Sequence, residues 1–223
     1  MEIIVIRKET IKRYLLFILS LFFMGIGVAL TKHGELGVSP ISSVANVVSI
    51  KFTFLSFGTW LTLSNCVLLL GQILLLRKNF KPIQLLQLPL SFLFGYFTDF
   101  GLWLAEFIPN DNYIVKLSLV ICGIVILGFG ITLGIIADVI LNSGEAFVKA
   151  LSDVLHKEFS SVKIAFDVSW VILSIVLSLI FFNGSLVGTR EGTIISAAFT
   201  GVTVKLWKKL MPTNTDKLFK VNP

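Results

Sequence analysis

The chain has 223 residues, of which 55% are hydrophobic and only 14% are charged, and its mean hydropathy is +0.91. Soluble domains carry about 25% charged residues, so this composition excludes an ordinary soluble protein and predicts an integral membrane protein. The formal net charge of +6 does not indicate nucleic-acid binding, because the basic residues lie at the ends of apolar segments and not in one block.

Long uncharged segments predict an all-α protein with six transmembrane helices. Five segments approach or exceed the ~20 residues that a helix needs to cross a ~30 Å hydrocarbon core. A sixth, at residues 192–204, is shorter, but the lysines that follow it can reach the membrane surface. We expect spans at residues 14–32, 56–77, 82–107, 114–139, 162–182 and 191–211, preceded by an interfacial segment at about 3–11.

The two halves of the chain resemble each other. The sequence Gly-Ile-Gly at 25–27 is echoed by Gly-Phe-Gly at 128–130, and shifts of 104 to 106 place Ser39 on Ser143, Gly95 on Gly201 and Asp99 on Lys205. Three spans in each half is an odd number, so the second half is inverted relative to the first, an arrangement typical of secondary transporters. The predicted repeats are residues 1–107 and 108–223, which together form one membrane domain.

The basic residues predict the topology. With the N-terminus cytoplasmic, only Lys32, Lys51, Lys116 and Arg190 of the 19 lysines and arginines fall on the outer side. Such a bias predicts a multi-pass protein of the cell membrane with both termini cytoplasmic. The two loops that follow the first span of each half then lie on opposite faces.

Each of these loops predicts a short helix, at about 40–51 and 144–157. Ser39 is a suitable N-cap with Pro40 at the first helical position, and Asn142 with Glu145 three residues later is typical of a capping box. Both helices are apolar on one face and too short to span, so they either lie at the interface or enter the protein as re-entrant segments. Helix N-termini favour anionic or polar groups, so the substrate-site hypothesis comprises Ser39, Ser42, Ser43, Asn142 and Ser143.

Polar residues within the spans add further candidates. Asn65 lies halfway along the second span, where it either bridges helices or contacts substrate. Ionisable groups in spans are functional by default, so Asp138, Asp167 and Asp99 are candidates for ion or proton coupling, with Asp138 and Asp167 facing each other across a cytoplasmic vestibule. Arg190 and Glu191, at the start of the last span, are candidates for a gate.

Three motifs carry a resemblance to a known family. The sequence GELGVSP at 34–40, LSFGT at 55–59 and REGT at 190–193 resemble the YczE/YyaS/YitT-type bacterial integral membrane proteins. Those proteins have a G-L-G-x-S-P loop and an L-S-x-G helix start. The chain departs from that pattern at Glu35 and at Ile41, where an aromatic residue is common. The resemblance implies a multi-pass, transporter-like inner-membrane protein.

We therefore expect a small secondary transporter or permease that binds a polar or anionic solute between the two short helices. One alternative is the membrane-embedded binding subunit of a multi-part importer, docking through Gly25 and Ala29. Another is a scaffold or regulator without a cavity. No catalytic, nucleotide-binding or metal-binding motif is present, so we expect neither an enzyme nor a cofactor or metal. The expected partners are the lipid bilayer and an unknown small molecule, with a homodimer as a further option and no nucleic acid.

Overall fold

The computed structural model describes residues 2–211, with side chains from residue 9 onward. This part of the chain folds into eight α-helices without a strand. Two short 3₁₀ helices, Arg77–Asn79 and Pro82–Leu86, connect the third α-helix to the fourth. The α-helices are α1 (Glu2–His33), α2 (Pro40–Lys51), α3 (Phe57–Leu76), α4 (Gln87–Ala105), α5 (Tyr113–Ala137), α6 (Ser143–Leu155), α7 (Phe159–Phe181) and α8 (Glu191–Leu210).

Five helical segments are long and apolar enough to cross a membrane, so the protein is membrane-embedded. Each contains all or most of one of the helices α1, α3, α4, α5 and α7. In chain order, the segments are Glu9–His33, Phe57–Asn79, Pro82–Ala105, Tyr113–Ala137 and Phe159–Phe181. The predicted sixth span coincides with α8, whose 20 residues are long enough at ~1.5 Å per residue. Its lysines and threonines make it less apolar than the other five, so the sixth span stays a prediction.

The N-terminal segment differs from the prediction. The expected interfacial segment at 3–11 is continuous with the first span, because α1 runs without a break from Glu2 to His33. Residues 212–223, the end of the predicted second repeat, lie outside the described residues.

Helices α1 and α5 cross at the centre of the molecule, where glycines let the two backbones meet. A Cβ atom at Gly27 would lie 2.6 Å from the backbone nitrogen of Leu127 and 2.7 Å from the carbonyl oxygen of Gly123. A Cβ atom at Gly130 would lie 2.6 Å from the backbone nitrogen of Met24. Buried apolar side chains from α1, α3, α4 and α5 surround this crossing and form the main core, among them Leu21, Val28, Leu61, Phe94 and Leu127.

The other helices pack around this pair. Helix α4 packs on α1, and α8 packs on α5. Each short helix packs chiefly on a long helix from the other half of the chain, since α2 contacts α7 and α6 contacts α3. The two short helices therefore connect the halves and bring their N-terminal ends into the interior.

Replacing Gly27 with alanine should destabilise the protein, because the added methyl group meets backbone atoms that cannot move aside. Overpacking of this kind costs about 1–3 kcal/mol. The thermal unfolding midpoint in detergent, measured by circular dichroism, should fall. Gly201→Ala is the matched control, because a Cβ atom there meets nothing within 4 Å and alanine favours helix over glycine by about 1 kcal/mol. Equal loss of stability in both variants would contradict the close crossing.

Candidate functional site

The N-terminus of α2 is a buried, polar turn. Pro40 occupies the first helical position and Ser39 is the N-cap residue, as predicted, but the Ser39 side chain makes no cap hydrogen bond. Its hydroxyl oxygen instead lies 3.0 Å from that of Ser42, and the Ser43 hydroxyl donates to the Pro40 carbonyl at 2.6 Å. All four residues are buried, so this helix start belongs to the protein interior.

The N-terminus of α6 is built differently. The Asn142 side-chain oxygen accepts a hydrogen bond from the Ser143 backbone N–H at 2.8 Å, which confirms Asn142 as the N-cap residue. The Ser143 hydroxyl lies 3.1 Å from the Ser91 hydroxyl of α4. The predicted capping box is wrong, because Glu145 does not bond back to the Asn142 backbone but lines an interior cavity.

Both helix starts border one cavity of about 390 Å³, which we call the central cavity. Most of its wall is aliphatic and comes from α1, α3, α5 and α8, with Phe94 of α4. Its polar residues come from both short helices and from α3, α7 and α8, namely Ser39, Ser42, Ser64, Asn65, Asn142, Glu145, Lys163, Asp167, Ser196 and Thr200. Of the predicted substrate and coupling residues, Ser39, Ser42, Asn65, Asn142 and Asp167 are therefore brought together. Ser43 and Ser143 are buried behind them.

Three charged residues face the central cavity. The Lys163 ammonium group contacts both carboxylate oxygens of Asp167, at 2.5 and 2.7 Å, one turn along α7. Within the described chain, no group donates a hydrogen bond to the Glu145 carboxyl. Burial raises the pKa of Glu145, while nearby Lys163 acts in the opposite direction and Asp167 adds to the rise. The cavity thus holds one compensated ion pair and one acid without a hydrogen-bond donor.

Asn65 projects into the same cavity from α3. Only 8% of the residue is exposed, and its amide nitrogen has no hydrogen-bond partner. A buried N–H group without a partner costs about 1–3 kcal/mol. The alternative that Asn65 bridges two helices therefore finds no partner here, and its free donor is available to a bound group.

The structure separates the other predicted coupling residues from this cavity. Asp138 lines a different recess of about 370 Å³, together with Gln72, Gln87 and Lys149. It therefore does not share a cavity with Asp167, and the predicted vestibule between these two aspartates is wrong. The prediction rested on their depth along the helices, which places both aspartates near the inner ends of their spans. In the structure, their side chains line different cavities.

Asp99 forms a contact between α4 and the start of α3. Its carboxylate accepts hydrogen bonds from the Ser56 hydroxyl at 2.5 Å and from the Gly58 backbone N–H at 2.7 Å. Asp99 does not line the central cavity. It stabilises the N-terminus of α3, where a negative charge is favoured by the helix dipole.

The predicted gate residues lie at the start of α8. Arg190 and Glu191 form an ion pair at 3.4 Å with half-exposed side chains. Arg190 also borders an open recess of about 570 Å³ with Lys32 and Asn46. This recess is separate from the central cavity, so a gating role for the pair stays a prediction.

Sequence reasoning missed Glu145 and Lys163 as residues of the cavity. An acid in the first turn of a helix has an ordinary local role, and the cap motif accounted for Glu145 without any tertiary contact. The signal that could have identified it was the apolar face of the helix that Glu145 begins, since a short helix that packs by such a face brings its first turn into the protein interior.

The Lys163–Asp167 pair should contribute to stability because its side chains are only 28% and 24% exposed. Asp167→Asn leaves the lysine charge unpaired, which should destabilise the protein by about 1–3 kcal/mol. Asp153→Asn is the matched control, because its pair with Lys149 is 53% and 52% exposed and such pairs contribute little. Chemical unfolding in detergent measures the free energy of unfolding of both variants. An equal loss in Asp167→Asn and Asp153→Asn would contradict an ion pair that the cavity protects from solvent.

Comparison with known protein families identifies the family of this chain. Residues 11–209 match DUF6198, a family of unknown function, and the chain belongs to that family. No curated protein and no solved structure matches the chain. These comparisons provide no link to the YczE/YyaS/YitT-type proteins, so that resemblance stays an expectation from short motifs.

Proposed function

We propose that this protein is a small secondary transporter of the cell membrane, built from two inverted three-span repeats, with its solute site in the central cavity. The observation that carries the proposal is the convergence of two short-helix N-termini, the free amide of Asn65 and the acid Glu145 on one cavity. Transporters commonly place their sites where broken or non-spanning helices end inside the protein.

Matching glycine contacts in the two halves support the inverted repeat. A Cβ atom at Gly25 of α1 would lie 2.9 Å from the Cβ of Phe97 in α4, and one at Gly128 of α5 would lie 2.8 Å from the Cβ of Thr203 in α8. The repeat relates Gly25 to Gly128 by a shift of 103 and Phe97 to Thr203 by a shift of 106. The same pair of equivalent positions therefore meets in both halves.

The halves differ at one crossing, and this difference supports alternating access. In the first half, Gly58 of α3 and Gly95 of α4 touch, since a Cβ atom on either would overlap the carbonyl oxygen of the other. Their equivalents are Val162 of α7 and Gly201 of α8. Gly201 faces open space and lines the central cavity. The predicted topology places the closed crossing near the outer face and the open one near the inner face.

Exchange of these two arrangements between the halves would present the cavity to the other side of the membrane. Such an exchange costs little when the two halves are built alike, because each half adopts an arrangement already available to its counterpart.

The alternative of an importer subunit loses its proposed docking face. Gly25 packs against α4 and Ala29 is fully buried, so neither is available to a partner. A cavity of this size also favours a transporter over a scaffold or regulator.

Two-sided access to the central cavity tests the proposal. In a background with Cys66 and Cys122 replaced by alanine, Ser64→Cys should react with an impermeant thiol reagent added to either face of oriented proteoliposomes. Two exposed positions serve as one-sided controls: Ser160→Cys should react only from the predicted inner face and Asp111→Cys only from the outer. Labelling of Ser64→Cys from a single face would contradict transport and favour the scaffold.

Asp99→Asn should shift the protein toward the state that is open to the outer face. The substitution weakens two charge-assisted hydrogen bonds that hold α4 against α3, and such bonds contribute about 1.5–3 kcal/mol. Labelling of Ser64→Cys from the outer face should accelerate about tenfold or more. Glu106→Gln, an exposed acid at the end of α4, is the control and should leave the rate unchanged. An unchanged rate for Asp99→Asn would mean that this contact does not keep the outer side closed.

A further inference from the structure

The charge of the central cavity identifies the class of solute. Among the residues that line it, only Glu145, Lys163 and Asp167 have ionisable side chains. Both oxygens of Asp167 are already in contact with the Lys163 ammonium group. When Glu145 is ionised, the cavity carries one uncompensated negative charge.

An uncompensated charge in an apolar cavity is costly, and a proton or a bound cation removes the cost. An anionic solute would add a second negative charge at close range, where the low dielectric strengthens repulsion. No charged residue of this cavity comes from α1, α2, α3, α4, α5 or α8. The other charged side chains of α6, those of Lys149 and Asp153, lie outside the cavity and pair with each other. Lys163 and Asp167 are therefore the only charged groups that face Glu145 from the helices around it in the described chain.

We propose that the central cavity takes a monovalent organic cation in exchange for a proton on the Glu145 carboxyl. This inference rests on the proposed function and names its substrate class, in place of the anionic solute that the helix N-termini favoured. The proton leaves the Glu145 oxygen for water on the side to which the cavity is open, and the cationic group takes its place beside the carboxylate. One monovalent cation replaces one proton, so no net charge accumulates in the cavity.

Asn65 supplies an independent indication that a ligand binds here. Its amide nitrogen is more than nine-tenths buried, lines the cavity and lacks a partner, so it is free to donate to an acceptor on the solute. The aliphatic walls suit an apolar body. The expected solute is thus a small amine or quaternary ammonium compound with an apolar part and a hydrogen-bond acceptor.

Two probes of matched shape and opposite charge test the solute class. Tetraphenylphosphonium and tetraphenylborate are similar in shape and opposite in charge. Because each partitions into detergent to a different extent, its binding to protein-free micelles is measured and subtracted. Equilibrium binding and proton release, followed with a pH indicator in weakly buffered detergent, are measured on the purified full-length protein. Asp153→Asn is the matched control, since it removes an acid from the same helix outside the cavity.

The phosphonium should bind to the wild-type and Asp153→Asn proteins and release about one proton per cation at pH values where Glu145 is protonated. Its affinity should rise with pH, because protons compete for the same carboxyl group. Glu145→Gln should weaken binding at least about tenfold and abolish proton release. Glu145→Asp, which keeps the acid, should retain release and guards against a folding defect of the glutamine variant.

Several results would overturn the proposal: no phosphonium binding, stronger binding of the borate, binding that is insensitive to Glu145→Gln, or binding without proton release. These failures are distinguishable from failure of the transporter assignment. Two-sided labelling of Ser64→Cys without cation binding would retain a transporter of another solute class. Cation binding with one-sided labelling would retain the site and reject transport.

Discussion

The structure depends on one constraint of the membrane interior, which is that backbone polar groups need partners. A helix that does not cross the bilayer leaves its first N–H groups without intrahelical acceptors, and lipid offers none. Helices α2 and α6 have only 12 and 13 residues, and their first turns are largely buried. They are stable there because each packs on a long helix from the other half of the chain, and the central cavity lies where their N-termini meet.

That arrangement needs a compact centre, which α1 and α5 provide. The glycines at their crossing bring two backbones into contact without side chains between them, so the flanking helices stay close enough for α2 and α6 to reach across. Similar glycine contacts then place α4 on α1 and α8 on α5. Helices α7 and α8 correspond to α3 and α4 in the repeat, but they do not pack closely on each other. The gap between them coincides with the open wall of the cavity, where Gly201 faces free space.

Local signals predicted the short helices well, whereas tertiary contacts decided the roles of the polar residues. Pro40 and Asn142 mark where α2 and α6 begin, because a fixed φ and a side-chain acceptor act within one turn. The same local reasoning assigned Glu145 to a cap, since nothing in the sequence shows that its side chain faces a cavity formed with the other seven helices. It also paired Asp138 with Asp167 from their depth, although depth along a helix does not specify which side of the helix a residue occupies.

The asymmetry between the halves and the charge in the cavity have a common physical consequence. Closing α8 over α7 would remove water from the cavity and raise the cost of an ionised Glu145, because the Lys163 charge is already taken by Asp167. An empty cavity with an ionised acid should therefore resist closure, while one that holds a proton or a cation should close more readily. Under the proposed function, this penalty would couple the two species, since the protein would change sides only when Glu145 carries one of them.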